Sequence, residues 1–368
     1  MIRLAKPYFG IEEETAVINV LKSGIVAAGQ TVKKFEENIS AYVGQRNGIA
    51  VSSGTAALHC ALHSLNLSPG DEVITTPFTF IATINAILFC GAKPIFVDID
   101  EETYNINPKL IENKITAKTK AIIAVDLFGQ TCDYEQIQKI AKEKNLIIIE
   151  DACQSIGAEY QGKKAGSLGD ISVFSFYATK NITCGEGGML VTNNANFAQK
   201  TREFRNHGQK EGERYNYLSL GYNYRMTEIQ AALGVEQLKK IDLFTVQRIS
   251  NAKLLSNELS KLSPNKIKLP ITKEGNKHVF HQYTIRTAPQ IRDKLVAYLK
   301  EKEIEAGIFY PKPLHLYKHI QSFGYKECDF PVAENCAKEV ISLPIHPQVT
   351  NEEIKYIAKC VCDFYEKN

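Results

Sequence analysis

Lys180 stands in Phe174-Ser-Phe-Tyr-Ala-Thr-Lys180-Asn-Ile-Thr-Cys-Gly-Glu-Gly-Gly188, behind an apolar run and among small and polar residues. An amine in such a place becomes a nucleophile when desolvation or a neighbouring cation lowers its pKa. For an arbitrary lysine the default is a solvated surface group, so this one gains meaning only from its partners. The glycines after it permit tight backbone turns around a bulky planar group. Ser175, five residues earlier, has a hydroxyl able to donate to a phosphate. A second element is Ser52-Ser-Gly-Thr-Ala56. There Gly54 allows close approach, Thr55 adds a hydroxyl donor, and a following helix would offer free N–H groups to an anion. On its own this segment reads more readily as a plain Ser/Thr helix cap. It lacks the further glycines of a dinucleotide fingerprint. A third element is Glu150-Asp151, directly after the run Leu146-Ile-Ile-Ile149. A carboxylate at the carboxyl end of a parallel strand either caps the next helix or enters a site. In a site with a reactive lysine it suits a pyridinium nitrogen, which it keeps protonated so that the ring accepts electrons.

These residues need a scaffold, and the pattern supplies one. Short β-branched runs recur at Ile49–Val51, Glu72–Thr75, Pro94–Val97, Ala121–Val125, Leu146–Ile149, Ile171–Phe176 and Met189–Thr192. Strands so uniformly apolar, separated by helical stretches, predict an α/β domain built on a mostly parallel seven-stranded sheet. Thr55–Leu65 places Leu58, Ala61, Leu62 and Leu65 at helical spacing. Asn107-Pro108 reads as the cap and first-turn proline of another helix. The two runs between 171 and 192 lack an intervening helix, so the βαβ order should break there. Beyond Gly221 the spacing predicts long helices over Met226–Leu243 and Thr245–Leu262. A Pro/Asn/Lys-rich linker (Ser263–Pro270), a strand (His281–Arg286) and a helix (Ile291–Lys302) follow. The expected division is a large domain over residues 1–244, with its N-terminal segment, and a smaller α+β domain over 245–368.

Bulk properties exclude several function classes. The 368 residues carry 44 basic and 41 acidic side chains, a net charge of +3 that gives no reason to expect nucleic acid or a membrane surface as partner. Met1–Pro7 lacks the apolar core of a signal peptide, and the run Ile81–Cys90 is interrupted by Thr83 and Asn85. Nine cysteines, an odd number with no CxxC pair, read as thiols of a reducing compartment and not as metal ligands or disulfides. The chain is expected to be cytoplasmic.

The ordered segments SSGT, PFTFIAT, EDACQ, FSFYATKNITCGEGGM and GYNYRM closely resemble the DegT/DnrJ/EryC1/StrS family of sugar aminotransferases. The resemblance runs from Val26-Ala-Ala-Gly29 to Ser342-Leu-Pro-Ile-His346. It implies the fold type I architecture of pyridoxal 5'-phosphate enzymes and a homodimer with active sites at the subunit interface. Carried over residue by residue, it implies that Lys180 holds the cofactor as the internal aldimine. Asp151 would pair with the pyridine nitrogen, Gln154 would lie near the ring 3-hydroxyl, and Phe80 would stack on the ring face. Read locally, Phe80 is equally a core phenylalanine at a helix start. Gly54, Thr55 and Ser175 match phosphate contacts, and Asn223 matches a phosphate contact supplied by the neighbouring subunit. Tyr177 occupies a position where relatives often have His or Phe and is given a lining role only. His315, in Pro311-Lys-Pro-Leu-His315, resembles a motif near the sugar pocket, though a surface or packing histidine fits as well. Arg225 either braces the Asn223 loop or touches substrate.

The implied reaction moves an amino group from L-glutamate to a nucleotide-linked keto-sugar in two alternating half-reactions. The wording of the Lys180 and GYNYRM segments favours amination at C4 over C3. Three other readings compete. A cofactor-dependent sugar dehydratase would have histidine in place of Lys180. A regulatory protein of the same fold would tolerate damage to the Lys, Asp or phosphate motifs, and none is visible. A nicotinamide oxidoreductase would need the missing glycine fingerprint.

Overall fold

The structure, a computed structural model, describes residues 1–367. All seven apolar runs become strands of one sheet: β1 (Asn47–Val51), β2 (Glu72–Thr75), β3 (Lys93–Phe96), β4 (Thr119–Val125), β5 (Ile147–Asp151), β8 (Ile171–Ser175) and β9 (Gly188–Thr192). Between β5 and β8 lie two short strands, β6 (Glu159–Tyr160) and β7 (Lys163–Lys164), which pair with β11 (Asn276–Lys277) in a separate ribbon. The large sheet has the order β1-β9-β8-β5-β4-β2-β3. Its strands β3, β2, β4, β5 and β8 are parallel, whereas β9 runs antiparallel to both β8 and β1. The break in βαβ order falls where it was expected, because a strand that follows without a crossover helix can return only antiparallel.

Both faces of this sheet are covered, which is why its strands are apolar throughout. Side chains alternate across a strand, so Ile49 and Val51 join the core beneath α3 (Gly54–Ser64) and α4 (Ala82–Phe89). Ala50 joins the opposite core with Phe35 and Ile39 of α2 (Gln30–Val43). Ile122 and Ile148 pack against Ile137 of α5 (Tyr134–Lys144) on that second side. Helix α6 (Ala195–Phe204) completes the first face, and α1 (Ile11–Ser23) lies against α7 (Glu228–Lys239).

Two expectations need correcting. The helix predicted after Asn107-Pro108 is a single 3₁₀ turn, Pro108–Leu110, followed by another at Glu112–Lys114. Asn107 does cap it, accepting from the Lys109 N–H at 3.1 Å. The segment buries only Pro108 and Ile111, however, too little apolar surface to hold a longer helix. The break between the two long helices falls at Lys240, where α7 gives way to α8 (Ile241–Leu259), and not near residue 244. Lys240 turns inward there onto Glu13 at 2.7 Å.

The C-terminal part contains β10 (Ile267–Lys268), β12 (Tyr283–Thr287), α9 (Pro289–Glu301), α10 (Lys318–Gln321), α11 (Pro331–Glu339), β13 (Val340–Leu343) and α12 (Asn351–Lys367). Strands β10, β12 and β13 form a small antiparallel sheet whose core includes Leu255, Ile285, Leu295 and Ile357. Residues 244 and 245, the expected domain boundary, lie inside α8 without a break. Ile241 and Phe244 pack with the large sheet, while Ala252, Leu255 and Leu259 pack with the small one. One rigid helix therefore ties the two cores together. Ile2 adds a bridge to Ile304, so the first residues belong with the small sheet. No helix among the described residues is long and apolar enough to cross a membrane.

Candidate active site

The carboxyl ends of β1, β5 and β8 open on one cavity of about 600 Å³, lined also by Arg248 of α8, by His281 and Gln282 just before β12, and by Phe309 and Tyr310. Lys180 lines it. The residue sits in the connection from β8 to β9, where Cys184 N–H returns to the Phe176 carbonyl and Phe176 N–H reaches the Gly187 carbonyl, both at 2.9 Å. The turn closes through Gly185, at φ +79°, a left-handed conformation that favours glycine. At Gly188 a Cβ would lie 2.3 Å from the Ser53 carbonyl oxygen, so the strand must be bare to pass the Ser53 loop. Burial lowers the Lys180 pKa, while attraction to Cys153 and Asp151 partly restores it. The amine is therefore more often neutral than a surface lysine, and so more nucleophilic.

Asp151 ends β5 and faces the same cavity. Its Oδ2 accepts from Thr83 Oγ1 at 3.0 Å and its Oδ1 from the Cys153 N–H at 3.3 Å. Burial raises its pKa, opposed by the Cys153 thiol, Thr83 and the charge of Lys180. Gln154 is held at both ends of its amide. Oε1 accepts from the Phe128 N–H at 2.9 Å, and Nε2 donates to the Tyr310 hydroxyl at 3.4 Å. Phe80 just precedes α4, but it is 55% exposed and lines the cavity, so the core-phenylalanine reading is overturned.

A third wall is formed by the start of α3. Ser53 caps that helix, accepting from the Ala56 N–H at 3.1 Å, so the plain cap reading is correct for this serine. The N–H groups of Gly54 and Thr55 precede the first intrahelical bond, and both residues line the cavity with Ser175. A Cβ on Gly54 would stand 2.8 Å from Ser175 Cβ and 3.1 Å from Cys153 Sγ. Glycine is what lets the helix start press onto β8. This arrangement fits a planar pyridine phosphate. It offers an anion cradle at one end, a buried carboxylate beyond, an aromatic face at Phe80 and an amine within the same cavity.

Of the residues singled out from the sequence, Gly54, Thr55, Phe80, Asp151, Gln154, Ser175, Tyr177 and Lys180 come together here. Asn223 does not. It is exposed in the 206–223 loop, bridged to Asn206, and lies outside the cavity lining of its own chain. Arg225 braces that loop, donating to Asn206 Oδ1 at 2.7 Å. His315 is a correction: it is fully buried between Phe96 and Phe330, with Nε2 3.1 Å from Glu334 Oε1, and does not line the cavity. The apolar neighbours Leu314 and Ile320 belong to the sheet core, which draws the histidine inward with them. Sequence reasoning missed Thr83, Tyr310, His281 and Arg248. Only Thr83 gave a signal, as the last residue of the PFTFIAT segment.

The model of the DegT/DnrJ/EryC1/StrS aminotransferase family matches residues 7–362. The chain belongs to this family. It is 44% identical to a pleiotropic regulatory protein of Geobacillus stearothermophilus, over 99% of this chain and 98% of that one. It is 40% identical to the GDP-perosamine synthase of Escherichia coli O157:H7, over 93% and 92% of the two chains. Among solved structures, NtdA of Bacillus subtilis with its bound cofactor PMP superimposes with a TM-score of 0.91 at 33% identity, over 97% of this chain and 83% of that one. The aminotransferase thus has the fold type I architecture and uses pyridoxal phosphate. It is a sugar aminotransferase.

Proposed function

We propose that this aminotransferase moves an amino group from L-glutamate to a nucleotide-linked keto-sugar, at C4 in preference to C3, in two half-reactions that share one pocket. The observation that carries the reading is the meeting of a desolvated amine, Lys180, with a buried carboxylate, Asp151, in a cavity of about 600 Å³. Pyridoxal phosphate, when bound, supplies a ring that accepts electrons from the donor's Cα. Lys180 would hold the cofactor, and its Nζ, when free, would take the Cα proton in the donor half-reaction and deliver a proton to the acceptor carbon in the other half-reaction. Asp151 keeps positive charge on the ring nitrogen, fixed in place by Thr83. Gln154 offers Nε2 to the ring hydroxyl, and Phe80 covers one face. Gly54, Thr55 and Ser175 bind the phosphate, and Tyr177 lines the sugar side.

The reading includes a homodimer in which Asn223 of one copy completes the phosphate site of the other. Its support is the exposure of Asn223 together with bare apolar side chains in its own loop and near the N-terminus. Leu220 is 76% exposed, accompanied by Tyr215, Tyr217 and Leu218, and Ile18, Leu21, Ile25 and Val26 are exposed near the N-terminus. Bare apolar surface of this extent marks a protein interface. The scattered unpaired thiols favour the cytoplasm.

The regulatory name of the relative at 44% identity suggests a second reading, a sensor that binds the cofactor without turnover. One experiment decides between them. The purified protein loaded with pyridoxal phosphate is titrated with L-glutamate, then with 3-keto and 4-keto nucleotide sugars singly. Loss of the visible cofactor band with L-glutamate and its return with a 4-keto sugar is expected. A band that L-glutamate leaves unchanged would sink L-glutamate as the amino donor, and return with a 3-keto sugar alone would reverse the C4 preference.

A further inference from the structure

The wall of the cavity formed by α8 holds a charge that no carboxylate among the described residues neutralises. Arg248 is 4% exposed and lines the cavity. Its Nη1 donates to the carbonyls of Phe280 and His281 at 3.2 and 3.3 Å. Its Nε is buried without any hydrogen-bond partner, and Nη2 makes no bond within the described residues. The other inward-facing arginines are answered by acids. Arg286 meets Glu339 at 2.7 Å, and Arg205 meets Glu36. Arg248 meets no carboxylate among the described residues, although an unpaired buried cation is costly. The two idle groups, Nε and Nη2, form the edge of a guanidinium that grips a carboxylate with two parallel hydrogen bonds.

The surroundings point the same way. His281 packs beside Arg248 and places its ring Nδ1 3.1 Å from Asn181 Oδ1. That leaves Asn181 Nδ2 as a second buried donor with no partner, one residue from Lys180. Burial first, then the charges of Lys180 and Arg248, hold the His281 pKa well below its ordinary value, so this imidazole adds no charge of its own. The phosphate cradle at Gly54 and Ser175 belongs to α3 and β8, a different wall. An anion at Arg248 is therefore a different anion. A nucleotide diphosphate is held away from the reacting keto carbon by the sugar ring, whereas an α-carboxylate is bonded directly to the reacting Cα.

We propose that Arg248 is the donor-carboxylate clamp of this enzyme: its Nε–Nη2 edge takes the α-carboxylate of L-glutamate, or of 2-oxoglutarate in the reverse direction. This rests on the reading of L-glutamate as amino donor. It gives the site a way to bind both substrates in turn, because the clamp engages the amino acid and stands apart from the cofactor phosphate.

The test uses the cofactor-loaded protein and two probes, L-glutamate and the unreactive dicarboxylate glutarate. Cofactor content and thermal midpoint are measured alongside. Arg248→Met is expected to keep the visible band, to raise the half-saturating L-glutamate concentration by at least about tenfold, the loss of a charge-assisted pair, and to lose glutarate binding by calorimetry. Arg248→Lys should recover part of both. A folded, fully loaded Arg248→Met protein that binds both probes within about twofold of wild type overturns the proposal. Should Arg248→Met not fold, Arg248→Lys decides: with one point charge in place of the two-pronged edge, L-glutamate and glutarate should both weaken several-fold, and unchanged affinities overturn the proposal. A wild-type band insensitive to L-glutamate alongside Arg248-dependent glutarate binding would overturn the donor reading yet support the clamp.

Discussion

Glu150 and Asp151 are neighbours at the end of one strand, both buried carboxylates, yet they do opposite things. Alternation along β5 sends them to opposite faces of the sheet. Glu150 is saturated: it accepts from the N–H groups of Gly166, Leu168 and Gly169 at 2.7, 2.9 and 3.3 Å and from the Ser172 hydroxyl at 2.6 Å. It ties the 166–169 turn to the sheet and does not line the cavity of Lys180. Asp151 has the Thr83 hydroxyl, one backbone N–H and the Cys153 thiol, with a cavity and a lysine in front of it. Burial raises the pKa of both acids. The perturbation alone therefore does not mark a functional group. What separates them is whether the structure has already used the carboxylate's hydrogen-bonding capacity.

Substitutions at the two positions should give mirror-image results. Asp151→Asn keeps the size and much of the hydrogen bonding but removes the charge. The L-glutamate half-reaction, followed as loss of the visible band, should slow by about 10²–10³-fold, as for loss of one preorganised electrostatic contact. The thermal midpoint should move little, and a rate within threefold of wild type would break the contrast. Glu150→Gln should do the reverse. Its amide NH₂ would face donors that a carboxylate satisfied, costing about 1–3 kcal/mol in urea unfolding. Relief of the nearby buried Asp126, whose pKa is raised by burial first and by Glu150 second, offsets part of this. The half-reaction rate per bound cofactor should stay within a few-fold. Thr83→Val sits between the two. It removes one donor to Asp151, worth about 1 kcal/mol, so the rate should fall by no more than about tenfold, with a small loss of stability. A rate loss equal to that of Asp151→Asn would mean that Thr83 acts on substrate directly.

The sheet was legible because its strands are buried on both faces, leaving uninterrupted runs such as Ile147-Ile-Ile149 that no solvated segment would carry. Lys180, Asp151 and the Gly54 turn were legible because each lies in a local pattern that a strand end imposes. Arg248 was not. On α8 it looks like any arginine of a polar helix face, and only packing against residues 280 and 281, some thirty positions away, strips it of water. Tyr310 meets Gln154 across a separation of 156 residues, equally invisible to local reading. His315 misled for the converse reason. Its motif is local, but which side of a short turn faces the core is decided by Phe96 and Phe330 from elsewhere in the chain.

The smallest effect tests the electrostatics of the pair most directly. Cofactor capture by the stripped protein needs the neutral form of Lys180. Burial lowers that pKa from 10.5, so the capture rate should climb with pH and level off below the pH at which a surface lysine would. Asp151 acts against this, since a nearby anion favours the protonated amine. Removing it in Asp151→Asn should move the midpoint of the pH–rate curve further down, by about one pH unit or less. Glu150 is not among the groups that act on Lys180, so Glu150→Gln should leave the midpoint in place. Stopped-flow absorbance between about pH 7 and 11, spanning the fall from the reference lysine value, resolves all three curves. A midpoint that rises in Asp151→Asn, or that moves equally in Glu150→Gln, would show that the two faces of β5 are not electrically distinct.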